Sequence, residues 1–393
     1  MRTLSRTTKC LAVISALAAG TAAALLVGSG AIAGSSSDRA ARGAAGPWRA
    51  LASAPIAVGG GRTTVWTGRE LLVTGSAASP DGTLGVDVAL TYDPAADAWR
   101  RLPDPPSTPN YCRRTAVWTG GEMLVWGCDG VGFDPRADRW RRLPPAPVGA
   151  PGIGVWTGRE LIGWGGGCCG DANADGAAYD PAENTWRRLA RSPLAASQSP
   201  LGAWTGRELI LFVSGLDPEG RPIEGAARAA AYRPGTDTWR RLRPMPAPRH
   251  GANAVWDGGE LLVVGGTDPR GRPATVGYAF NPTTNRWRSL PAMASGAIQA
   301  VSVWTGRKLL VFGGENAPNR LLSYDAGSNR WSRLPRAPLQ SRVDPGAVWT
   351  GEGLLVWGGL IGTPAGTSIP PKYPLDGAVF SESSSQGDSG GGQ

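Results

Sequence analysis

Short apolar runs and turn residues alternate along the chain, and the alternation repeats. Val65-Trp66, a Thr67-Gly68 turn and then Glu70-Leu71-Leu72-Val73 read as a hairpin of two short strands, a and b. The same segment returns at Trp118, Trp156, Trp204, Trp256, Trp304 and Trp349, at intervals of about 47 residues. A second landmark closes a third strand, c. Tyr92, Phe133, Tyr179, Tyr232, Phe280 and Tyr324 each precede a Trp by seven residues, the partners being Trp99, Trp140, Trp186, Trp239, Trp287 and Trp331. Asp93-Pro94 opens a tight turn between them. Asp97 near its close is matched by Asp138, Asn184, Asp237, Asn285 and Asn329, residue types that tolerate left-handed backbone. Trp99-Arg100-Arg101-Leu102 then alternates apolar and charged, as an outer strand d with one wet face requires.

Four antiparallel strands repeated seven times predict an all-β fold, a seven-bladed β-propeller. The last repeat lacks its late Trp, while Trp48-Arg49-Ala50-Leu51 stands ahead of any strand a. Residues 47–52 are therefore predicted to pair beside residues 377–380 and close the ring, which removes the exposed edges. Glycine pairs often end strand b, as at Gly265-Gly266, Gly313-Gly314 and Gly358-Gly359, although Thr74-Gly75 and Ser214-Gly215 replace them in blades 1 and 4. The glycine pair followed by an aromatic and a Trp at fixed spacing resembles the kelch repeat of exported bacterial propellers in the galactose-oxidase-like central-domain superfamily, over about residues 47–380. The resemblance implies a scaffold used by enzymes and by binding proteins alike. Copper oxidases of this kind need two His and two Tyr ligands, so His250, the single His, excludes that centre. A sugar mutarotase is the enzymatic alternative.

Composition bounds the rest. In 393 residues there are 40 Lys+Arg against 31 Asp+Glu, a net charge of +9, and 17 Trp, far too much apolar surface for a disordered chain despite 58 Gly and 34 Pro. The basic residues are mostly Arg at regular strand positions, which reads as solvated surface rather than a nucleic-acid stripe. Residues 1–33 place Arg2, Arg6 and Lys9 before an apolar run that ends in Ala31-Ile32-Ala33. This is an export signal, with an uncleaved membrane anchor as the alternative. Residues 34–46 form a linker and residues 381–393 a disordered tail. The expected location is extracytoplasmic, secreted or anchored, and the expected state is a monomer.

Candidate chemistry falls on the loops at one end of the ring, namely the d–a links and the b–c loops. The d–a links carry Arg62, Tyr111, Arg113, Arg114, Gln198, Arg249, His250, Gln299, Arg342 and Asp344. The b–c loops add Asp129, Asp171, Asp175, Asp217, Asp268 and Glu315. Arg62, Arg113, Arg114, Arg249, His250 and Arg342 are the expected ligand contacts, since Arg binds anionic or hydroxyl oxygens in a bidentate way. A glycan, a small polar ligand or a protein is the expected partner. His250 with Asp268 or Glu315 is the sole acid–base set that can be placed. No cofactor is required, but Asp171, Asn173 and Asp175 match the first half of a calcium loop without its final ligand. Cys112, Cys128, Cys168 and Cys169 are expected to be oxidised. If Trp118 lies opposite Glu122, then Cys112 faces Cys128 and Cys168-Cys169 form a vicinal pair. Cross-pairing between blades 2 and 3 is the rival.

Overall fold

The structure is a computed structural model and describes residues 46–106, 113–167, 171–214, 228–315, 319–362 and 372–382. Residues 1–45 and 383–393, which hold the expected leader, nearly all of the linker and most of the tail, lie outside the described residues. The strands form seven four-stranded antiparallel sheets. In blade 1, strands a to d are Thr63–Trp66, Leu71–Ala78, Leu84–Asp93 and Ala98–Arg101. Strand a of blades 2 to 7 begins at Thr115, Ile153, Leu201, Asn253, Val301 and Gly346.

Local chemistry sets each turn. The Thr67 amide donates to the Glu70 carbonyl, and the Thr67 hydroxyl accepts from the Glu70 amide at 2.8 Å, which closes the a–b hairpin. Thr119, Thr157, Thr205 and Thr350 repeat the arrangement. This turn sets a register one residue from the expected one: Trp118 lies opposite Met123, not Glu122. The premise that made Cys112 and Cys128 face each other therefore fails. In the c–d turn the Asp93 carboxylate accepts from the Ala95 and Ala96 amides. The six Asp and Asn residues that close these turns have φ between 49° and 54°, in the left-handed region.

Packing runs between blades rather than within one sheet. Leu262, Val264 and Ala279 of blade 5 share one apolar cluster with Leu309, Val311 and Leu322 of blade 6. The late Trp residues add a directional tie. Trp99, Trp140, Trp186, Trp239, Trp287 and Trp331 each donate their indole N–H to a carbonyl at or just past the end of strand d of the preceding blade, at 2.7–3.1 Å. Trp48 does the same to Pro335 at 2.8 Å. It supplies blade 7 with the Trp that its own segment lacks. Trp48–Ala50 pairs with Gly377–Ser381, with Trp48 opposite Phe380, so the N-terminal strand closes the ring. Ser381 belongs to that strand, one residue into the expected tail.

The Arg that follows the late Trp in strand d does more than cover a wet face. Arg141 forms a forked pair with Glu122 and donates to the Tyr179 hydroxyl of the next blade at 2.8 Å. Arg187 joins Glu160 to Tyr232 in the same way, and Arg288 joins Glu260 to Tyr324. Much of the regular positive charge is thus committed to ties between neighbouring blades.

Candidate binding site

The d–a links and the b–c loops share one face because they bond to each other. His250 bridges Thr267, Val343 bridges Leu360 and Val58 bridges Ala77. The glycine pairs make this approach possible. Gly266, at φ 72°, would place a β-carbon 2.4 Å from the His250 carbonyl oxygen.

The expected ligand residues divide into two groups on this face. Arg114 and Arg342 do not present a guanidinium to solvent, and both leave the binding set for that reason. The Arg114 side chain is 6% exposed and lies 2.6 Å from Asp87, whose side chain is 1% exposed. Arg342 is fully buried and donates to the Gln340, Gly358 and Asp376 carbonyls and to the Asp376 carboxylate. Each ties a d–a link to a distant strand or loop.

Arg62, Arg113 and Asp344 meet at the junction of blades 7, 1 and 2. Arg62 donates to the Val58 and Asp344 carbonyls, clipping the first blade to the last. Burial pushes its pKa below the usual arginine value, and Asp344 and Tyr373 oppose this. Burial raises the Asp344 carboxyl, with Arg62 and Arg113 opposing. Arg113 is exposed. Asp344 and Gln299 occupy the left-handed region at φ 47° and 53°, where the equivalent positions in blades 1 and 5 are Gly61 and Gly251.

Arg249 and His250 line a cavity of about 440 Å³ between blades 4 and 5. Its walls come from the link before strand a of blade 4 (Ser197, Gln198), the b–c ends of blade 4 (Phe212, Arg228) and the link before blade 5 (Met245). The volume is in the range of small-molecule sites. Arg249 is held in place: its guanidinium lies 5.3 Å from the centre of the Tyr278 ring and donates to the Val276 carbonyl at 3.0 Å. The Gln198 amide is engaged with the Asp171 carbonyl at 2.7 Å. Phe212, Met245 and Arg228 were not among the expected contacts. Their one sequence signal is the long b–c loop of blade 4, which Arg228 closes.

The Kelch motif family matches residues 248–294, which hold part of one wall of this cavity and all of blade 5. No curated protein matches the chain. Seven blades of this design and the matched motif decide the family. The chain is a kelch-repeat propeller. Kelch propellers are binding and interaction scaffolds in general, and the fold alone names no ligand.

In this kelch propeller the acid–base candidate His250 pairs through its backbone with Thr267, the residue before Asp268. The Asp268 carboxylate accepts from the Arg270 and Arg272 amides and pairs with the Arg272 guanidinium at 2.7 Å. The amide bond from Arg272, then its side chain, hold that carboxyl below the ordinary carboxylate range. Glu315 is exposed, with its amide bonded to Ile298. In the calcium-like loop, Asp175 pairs with Arg188 at 3.4 Å, Asn173 is bonded through its backbone to Gly166 and Ser197, and Asp171 is exposed. Cys128 is exposed after strand b of blade 2. Tyr111, Cys112, Cys168, Cys169 and Asp217 lie outside the described residues.

Proposed function

We propose that this kelch propeller is an exported binding module whose cavity between blades 4 and 5 takes a small polar ligand with anionic character. The observation that carries the reading is Arg249. Its side chain is fixed by Tyr278 and Val276 at the cavity wall, so binding an anion costs little further ordering of that side chain. Variable loops on a rigid scaffold are where recognition resides. A binding screen of glycans and cell-envelope components tests it, with wild type and Arg249→Ala compared by isothermal titration. At least tenfold weaker binding by the variant is expected. A wild type that binds nothing, or a variant that binds equally well, refutes the assignment.

Export belongs to the same proposal. The basic start and apolar run of residues 1–33 support it, and so does Cys128, set in a disulfide that suits an oxidising compartment. N-terminal sequencing of the mature protein should begin at Gly34, whereas an intact leader in the membrane fraction would establish the anchor. Non-reducing peptide mapping identifies the partner of Cys128 among Cys112, Cys168 and Cys169. A mature protein with four free thiols would contradict the disulfide.

A further inference from the structure

We infer that the cavity between blades 4 and 5 selects an anionic amphiphile, a small aromatic or aliphatic body carrying one acidic group, rather than a neutral glycan. The inference rests on the binding reading above and sharpens it to a ligand class. Charge supplies the first half. Arg228, Arg249 and His250 all line the cavity, and no Asp or Glu does so among the described residues. None of the three has a carboxylate partner among the described residues, in contrast to Arg114, Arg187 and Arg272, which are paired. A lining whose described residues carry basic groups and no acid favours an anion and repels a cation.

The apolar half comes from the floor. Leu201, Phe212, Val213 and Met245 line the same space. Phe212 is buried and braced by Phe280 at 5.3 Å and Trp287 at 4.8 Å, so this floor is rigid. Pro244 and Pro246 flank Met245, and with Pro248 they restrict the backbone of that wall. A hydroxyl-rich sugar would lose water against this apolar floor without recovering hydrogen bonds there, and would have the hydroxyls of Ser197, Ser199 and Ser214 elsewhere in the lining. Among the described lining residues the one carboxamide is Gln198, whose N–H donates to the Asp171 carbonyl. An apolar body over Met245 and Leu201, with its acidic group at Arg249 and Arg228, satisfies both halves of the cavity.

Fluorescence titration tests this with 8-anilinonaphthalene-1-sulfonate as the anionic amphiphile. N-phenyl-1-naphthylamine serves as its neutral counterpart and maltotriose as a neutral glycan. Saturable binding of the sulfonate by the folded protein is expected, at least tenfold weaker in Arg249→Ala and in Met245→Glu, with the neutral amine bound at least tenfold more weakly than the sulfonate. Circular dichroism melts confirm that the variants remain folded. Equal binding of the sulfonate and the amine, or variants that bind the sulfonate like wild type, overturns the inference. Maltotriose binding that Arg249→Ala abolishes, with no sulfonate binding, also overturns it but leaves the site in place. If none of the probes binds and the glycan and envelope screen is also blank, both readings fall.

Discussion

Replacing Arg114 with Ala separates a surface ligand contact from an interior tie. The guanidinium sits 2.6 Å from Asp87, with the two side chains 6% and 1% exposed. Gly61 and Gly127 leave the room it occupies; a β-carbon on Gly127 would lie 2.9 Å from the Arg114 stem. Ala would leave the Asp87 carboxylate buried, with Ser76 among its remaining hydrogen-bond donors. Breaking a buried pair from one side costs about 3–5 kcal/mol. Unfolding entropy is about 2.1 cal/mol/K per residue, so the roughly 300 described residues give ~0.64 kcal/mol/K and a fall in Tm of about 5–8 °C. Differential scanning calorimetry reads this directly. Arg136→Ala, at an exposed c–d turn, is the control and should cost no more than about 0.5 kcal/mol. Replacing both partners, Arg114→Met with Asp87→Leu, should restore most of the loss, because an apolar pair needs no counter-charge. An Arg114→Ala variant that melts within about 1 °C of the control would refute the reasoning.

Other outcomes follow from the ties between blades. Trp186→Phe removes the indole bond to Pro144 and part of the packing on Trp126, so urea unfolding should show a loss of about 1–3 kcal/mol. Trp48→Ala weakens the closing strand and exposes the edge of Gly377–Ser381, so light scattering should show self-association that wild type lacks. Burial pushes the Glu208 carboxyl up, but bonds from Arg240 and Arg233 more than offset this, so its folded pKa lies below the ordinary value. The stability it contributes is therefore present at neutral pH and lost as pH falls from about 5 toward 2. Glu208→Gln should be less stable than wild type at pH 7 and lose less on acidification, measured by unfolding free energy at several pH values.

The fold was legible because its signals are local. The Trp seven residues after each strand-c aromatic, and the Asp or Asn that closes each turn at positive φ, lie within one turn of chain. Even the orphan Trp48 could be matched to the blade that lacks a Trp. The register of the a–b hairpin was less legible. Its setting depends on the Thr67 hydroxyl capturing the Glu70 amide, and an error of one residue reverses which side chains face each other. The site was harder still. Arg114 and Arg249 are the same residue type at similar loop positions, yet one turns inward to Asp87, far along another blade, and the other stays at a cavity wall. Phe212 and Met245 carry no mark that separates a cavity floor from a core, since that depends on how far apart the loops of two blades stand.

The account rests most on the cavity between blades 4 and 5. A crystal structure of the protein soaked with 8-anilinonaphthalene-1-sulfonate tests it most directly. Density with the sulfonate at Arg249 and Arg228 and the rings over Met245 and Leu201 is the predicted result. Density at the junction of Arg62, Arg113 and Asp344 with the cavity empty, or no bound probe at a saturating concentration, would contradict it.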